Sequence, residues 1–123
     1  MYLLGYDIGS SSIKATLLDA DNGKTVISAS SPATELEITA VKPGWAEQHP
    51  EVWWKHLKIA TSQLIAESDI DVSGIEAIGI SYQMHGLVIV DKNQNVLRPS
   101  IIWCDSRAVE IGNRAFNDIG NET

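Results

Sequence analysis

The sequence predicts an α/β fold with a mixed sheet and flanking helices, and three observations carry that prediction. Apolar runs at 2–8, 12–18 and 24–30 are joined by tight turns, and strands joined so closely pair antiparallel. A helical period follows from about Glu51 to Glu67. After it comes a near-continuous apolar run, Ile75 to Ser81, the pattern of a strand buried on both faces. The helix between them makes that last pairing parallel.

The elements are justified in chain order. Tyr2 to Ile8 is the first strand and Ser12 to Leu18 the second. Asp19-Ala20-Asp21-Asn22-Gly23 is turn chemistry, with Asn-Gly a strong hairpin signal, and Lys24 to Ser30 returns as the third strand. Ser31 to Gly44 is irregular, with a short strand expected near Leu36 to Val41. Pro50 suits a first helical position, because its φ is already helical and its missing N–H is not needed there. Trp53, Leu57, Ala60 and Leu64 then share one helical face, and Glu51 and Lys55 pair on the outside. Of Trp53 and Trp54, one packs inward and one covers the surface, and neither is assigned a ligand. Leu87 to Val90 is a further apolar run, Asp91 to Asn95 a polar turn, and Ile101-Ile102-Trp103 an extended segment. Asp105 or Ser106 caps a second helix from about Arg107 to Ile119, with Ala108, Gly112, Phe116 and Ile119 as its buried stripe. Asn121-Glu122-Thr123 forms no element. This order suits a ribonuclease-H-like core, the unit of the actin-like ATPase folds, with further strands and helices of that core missing.

Composition excludes several functions. Charged residues make up 20 % of the 123 positions and the net charge is −7, with no basic run. Binding to a nucleic-acid backbone or an anionic membrane surface needs clustered Lys and Arg, so neither partner is expected. No apolar segment approaches the ~20 residues of a spanning helix, and no secretory signal is visible. The single Cys104 cannot form an intrachain disulfide, which fits a reducing cytoplasm. It is read as a small packed residue without an evident base, hence not a nucleophile.

Three stretches carry the chemistry. In Asp7-Ile8-Gly9-Ser10-Ser11-Ser12-Ile13-Lys14 a carboxylate ends one strand and three hydroxyls fill the turn. Gly9 has no Cβ, so the backbone can turn sharply and approach a ligand, and successive N–H groups there form a concave anion site. Asp7 would repel a phosphate unless a cation lay between them, which suggests Mg²⁺. An ordinary hairpin with a Ser-rich turn explains the spacing equally well. Ser81-Tyr82-Gln83-Met84-His85-Gly86 lies at the carboxyl end of the apolar strand, where ligands of open α/β sheets sit. Gln83 and His85 can each donate and accept, which suits a polyhydroxylated ligand; a loop His with one structural hydrogen bond is the plainer reading. In Trp103-Cys104-Asp105-Ser106-Arg107, Trp103 is either a platform for a sugar or core. Asp105 binds a hydroxyl or caps a helix, and Arg107 meets a phosphate or Asp105.

Taken in order, these stretches resemble the N-terminal part of the FGGY-family carbohydrate kinases, most of all the xylulose kinases among them. The resemblance rests on Tyr6 to Lys14, on Trp45-Ala46-Glu47-Gln48-His49-Pro50 with Trp53-Trp54, on Gln83-Met84-His85-Gly86, and on Leu97-Arg98-Pro99 through Ile102-Trp103 to Asp105 and Arg107. It spans nearly the whole chain. Four positions depart from the usual pattern. Ser10 stands where Thr is frequent, Tyr82 where Gly is common, Cys104 where Asn is common, and His49 where Asp or Asn precedes Pro50.

The resemblance implies that Asp7 holds Mg²⁺ through water. Gly9, Ser10, Ser11, Ser12 and Lys14 would face the ATP phosphates, while Gln83, Met84, His85, Trp103 and Asp105 would contact the sugar. ATP would phosphorylate the 5-hydroxyl of D-xylulose, a transfer that asks mainly for positioning and charge neutralisation. It also implies a second domain and a general base beyond Thr123. The chain is thus expected to be the N-terminal part of the first kinase domain and inactive alone, and a homodimer of the full-length protein is a further expectation. Two alternatives stand beside this reading: an FGGY kinase for another polyol or sugar acid, or a non-catalytic actin-like nucleotide- or sugar-binding module.

Overall fold

The computed structural model describes residues 1–120; the tripeptide 121–123, read as forming no element, lies outside them. Its centre is a four-stranded sheet of β1 (Tyr2–Ile8), β2 (Ile13–Asp19), β3 (Lys24–Ser31) and β5 (Ile75–Tyr82), in the order β3-β2-β1-β5. The first three strands pair antiparallel and β5 joins β1 in parallel. The expected mixed sheet is therefore present. The β2–β3 turn closes with the Gly23 N–H donating to the Asp19 carbonyl at 2.8 Å, and Gly23 takes a positive φ of 71° that suits glycine.

Helix α1 (Pro50–Ser68) returns the chain across the sheet. His49 caps it: its ring Nδ1 accepts the Glu51 N–H at 3.3 Å. The helix lies over β2 and β3, and Leu4, Ala15, Leu17, Ala60 and Leu64 form the buried core beneath it. This is the face set by the helical spacing of Ala60 and Leu64. Two side-chain bonds fasten helix to sheet, Tyr6 hydroxyl to Thr61 Oγ1 and Ser31 Oγ to His56 Nδ1, both at 2.8 Å. Trp54 covers the surface, while Trp53 is half-buried.

A second, two-stranded sheet was not anticipated. β4 (Glu47–Gln48) pairs antiparallel with β6 (Ser100–Ile101), and both β4 residues are buried. Where a strand was expected at 36–41, there is only an isolated bridge between Thr39 and Glu47. The extended segment expected at 101–103 is shifted: the strand ends at Ile101, and Ile102 is buried.

Three expectations about burial fail. β5 was read as buried on both faces, yet Ile80 is 60 % exposed and the strand lies open along its length. It is the edge strand of the sheet, and α1 sits over β2 and β3 instead. Helix α2 (Val109–Ile119) starts two residues later than expected, and neither Asp105 nor Ser106 caps it; Ala108 holds the N-cap position without a side-chain bond. Its stripe of Ala108, Gly112, Phe116 and Ile119 is exposed, because no other element among the described residues packs over that face. Cys104, read as packed, is also exposed.

Candidate functional site

The β1–β2 turn is closed by the Gly9 N–H, which donates to the Ser12 carbonyl at 3.1 Å. A Cβ on Gly9 would lie 3.1 Å from that same carbonyl oxygen, so a side chain there would crowd the turn. Since the Gly9 N–H is engaged internally, an anion here would meet the residues that follow it. Asp7 and Lys14 are cross-strand partners in the β1–β2 register and both are exposed. Asp7 also pairs with Ser81 at the end of β5. Lys14 and Asp7 thus share one face of the sheet beside the turn.

The turn is pinned from behind. Gln48, only 2 % exposed, donates Nε2 to the Ser10 carbonyl at 2.7 Å and to the Glu37 carbonyl at 3.2 Å. Its Oε1 accepts the Trp53 indole N–H at 3.0 Å. The Leu36 N–H donates to the Ser11 carbonyl at 2.7 Å. From the far end of the chain, the Trp103 indole N–H donates to Ser10 Oγ at 3.2 Å. Two stretches singled out separately in the sequence therefore meet at Ser10.

The end of β5 continues into the same neighbourhood, with the Gln83 N–H donating to the Ile8 carbonyl at 3.0 Å. Gln83 and His85 line one pocket of about 470 Å³ together with Ile8, Trp53, Tyr82 and Leu87. Among the described residues, both polar atoms of the Gln83 side chain are buried without a hydrogen-bond partner. A buried amide in that state costs about 1–3 kcal/mol, so a polar ligand in the pocket would satisfy it. His85 has φ 63°, a left-handed conformation uncommon for a residue with a side chain. Met84 is exposed, and neither it nor Trp103 lines this pocket.

Asp105 belongs to a different constellation. Its side chain is 3 % exposed. Oδ2 accepts the Ala46 N–H at 2.7 Å and Arg107 Nη2 at 2.7 Å, and Oδ1 accepts the N–H and Nε of Arg107, each at 2.9 Å. The Arg107 guanidinium, with the Ala46 and Arg107 N–H groups, holds this carboxyl well below the usual carboxylate range despite its desolvation. Asp105 in turn pushes the Arg107 pKa upward. Buried Glu47 receives Arg107 at 2.7 Å and Arg98 at 2.5 Å, and Arg107 stacks 3.7 Å from the centroid of the Trp45 ring. So Arg107 meets Asp105 rather than a phosphate, and both Asp105 oxygens already accept hydrogen bonds. Sequence reasoning missed Glu47, Gln48 and Arg98 as organising residues. Buried polar side chains leave no trace in apolar periodicity; Glu47, Gln48 and Arg98 stood out only as members of the stretches that carry the family resemblance.

Residues 2–123 match the FGGY family of carbohydrate kinases, N-terminal domain. The chain belongs to that family. Among its curated FGGY relatives is the xylulose kinase of Klebsiella pneumoniae, 38 % identical over 110 residues, covering 89 % of this chain and 21 % of that protein. In structure it is similar to a xylulose kinase from Brucella ovis, with TM-score 0.81 and 38 % identity over 97 % of this chain and 25 % of the other. It is also similar to the Plasmodium falciparum glycerol kinase with ADP, with TM-score 0.79 and 25 % identity over 96 % and 24 % of the two chains. The solved FGGY kinases have the actin-like ATPase fold, and the four-stranded mixed sheet with α1 is the part of it seen here. The chain spans about a fifth of the length of the curated relatives it matches.

Proposed function

We propose that the full-length protein is an ATP-dependent sugar kinase, with D-xylulose as acceptor and D-xylulose 5-phosphate as product. The observation that carries this is the convergence at Ser10. A tight Gly9–Ser12 turn with hydroxyl donors lies beside Asp7 and Lys14, and the Gln83–His85 pocket adjoins it. A hydroxyl-bearing turn next to a mainly apolar pocket with two polar side chains, Gln83 and His85, suits phosphoryl transfer to a bound hydroxyl. The likeness to xylulose kinases supports the choice of sugar.

The chain would be the N-terminal part of the first kinase domain, with the general base and the rest of the nucleotide site elsewhere in the protein. Within it Ser10, Ser11 and Ser12 would donate to the ATP phosphates and Lys14 would add positive charge. Gln83, Met84 and His85 would contact the sugar, with Trp103 between sugar and turn. Asp105 would support that region through Arg107 instead of binding a hydroxyl through a vacant oxygen. Asp7 is a single exposed carboxylate at a strand end. Among the described residues it is not part of a cluster of three acidic, His or Cys ligands. That donor set fits Mg²⁺, which keeps most of its waters and needs few protein ligands. When bound, the ion would neutralise phosphate charge.

ADP release by the full-length protein, measured across D-xylulose, other ketoses, polyols and sugar acids, tests this reading. The highest kcat/KM is expected with D-xylulose, and no turnover is expected from the 123-residue chain alone. A preference for a polyol or sugar acid would replace the substrate, and Tyr82 at the pocket is the residue that would favour that second reading. Absence of ADP release with every acceptor would overturn the kinase assignment.

A further inference from the structure

Trp103 and Ser10 lie 93 residues apart in sequence and 3.2 Å apart at their polar atoms. An indole nitrogen has a proton to give and no lone pair to accept one, so Ser10 Oγ is the acceptor in this pair. The Ser10 proton must then point elsewhere. Its backbone cannot follow a change in the side chain, because Gln48 holds the Ser10 carbonyl and the Gly9–Ser12 bond closes the turn.

We propose that Trp103 is a positioning residue for the turn: its indole N–H fixes Ser10 Oγ as an acceptor, so that the Ser10 hydroxyl presents its proton outward to a phosphate oxygen. The inference rests on reading 9–12 as the phosphate-binding turn and deepens that reading. It gives Trp103 a role separate from any stacking against a sugar. The ring face is available for an apolar sugar surface, while the ring edge acts on the nucleotide side. Trp103 is exposed, so its replacement leaves the core intact.

The test uses the full-length protein with Trp103→Phe, Ser10→Ala, Ser10→Thr and the Trp103→Phe/Ser10→Ala double variant. Binding of a non-hydrolysable ATP analogue is titrated, and KM is measured separately for ATP and sugar. Trp103→Phe keeps an aromatic ring but loses the N–H together with the five-membered half of the indole; loss of the hydrogen bond should weaken nucleotide affinity by roughly two- to tenfold. Any change in sugar KM should be the same in the wild-type and Ser10→Ala backgrounds, whereas the loss in nucleotide affinity should require Ser10. Ser10→Thr should retain sensitivity to the Trp103 change. In the Ser10→Ala background Trp103→Phe should cost no further nucleotide affinity. Additive losses of that affinity in the double variant, or a change confined to sugar KM, would overturn the proposal while leaving the phosphate turn standing. Failure of the wild-type protein to bind the analogue would overturn the phosphate-turn reading and this inference with it.

Discussion

Gln48 donates its side-chain amide to the Ser10 carbonyl at 2.7 Å, from a position 38 residues further along the chain. The same buried amide holds the Glu37 carbonyl and accepts from Trp53. One side chain therefore ties the Gly-Ser turn to the small β4–β6 sheet and to the first turn of α1. The turn that carries the candidate phosphate donors is therefore held from behind as well as by its own strands.

Replacing Gln48 should expose how much rests on it. Gln48→Leu leaves two carbonyls and an indole N–H without their partner in a buried setting. The expected loss is about 1–3 kcal/mol of unfolding free energy. Urea titration of the purified protein should show a lower midpoint with an unchanged slope. Gln48→Glu should also destabilise, since a carboxylate cannot donate to the Ser10 carbonyl. An unaltered midpoint for Gln48→Leu would remove this residue from the account.

The Asp105–Arg107 pair makes a pH-dependent contribution of known sign. The folded pKa of Asp105 is depressed below its ordinary value of 3.8. A depressed carboxylate contributes stability that is present above the unfolded value and is lost as pH falls through the folded one. The stability gap between wild type and Asp105→Asn should therefore be level through neutral pH and start to close only below about pH 4. Thermal melts across an acid series would follow it. A gap that closes between pH 8 and pH 6 would assign the dependence to another group.

Burial separates the two helices energetically. Leu64 on α1 is 0 % exposed, whereas Phe116 on α2 is 58 % exposed. In the 123-residue chain, Leu64→Ala should cost about 2–5 kcal/mol and Phe116→Ala within about 0.5 kcal/mol. Chemical denaturation of both variants compares them directly. Equal losses would mean that α2 packs against the body of the chain after all.

The sequence alone determined the plan of the four-stranded sheet and α1. Alternation and turn residues specify the β1–β3 meander, and a helix of α1's length forces the next strand parallel. These are local signals, because side-chain period and turn chemistry act over a few residues. It also marked the Gly9 turn, Gln83, His85 and Trp103 as polar or aromatic groups at strand ends. Only the tertiary structure decided how those groups are shared. It placed Trp103 on Ser10 and buried Gln48 behind the turn. It committed Asp105 to Arg107 and Arg107 also to Glu47, and left β5 and α2 open. Apart from the local Asp105–Arg107 pair, these contacts join residues distant in sequence, and burial depends on which surfaces cover one another in space. Apolar periodicity predicts that a face can be covered; it does not state which partner, if any, covers it.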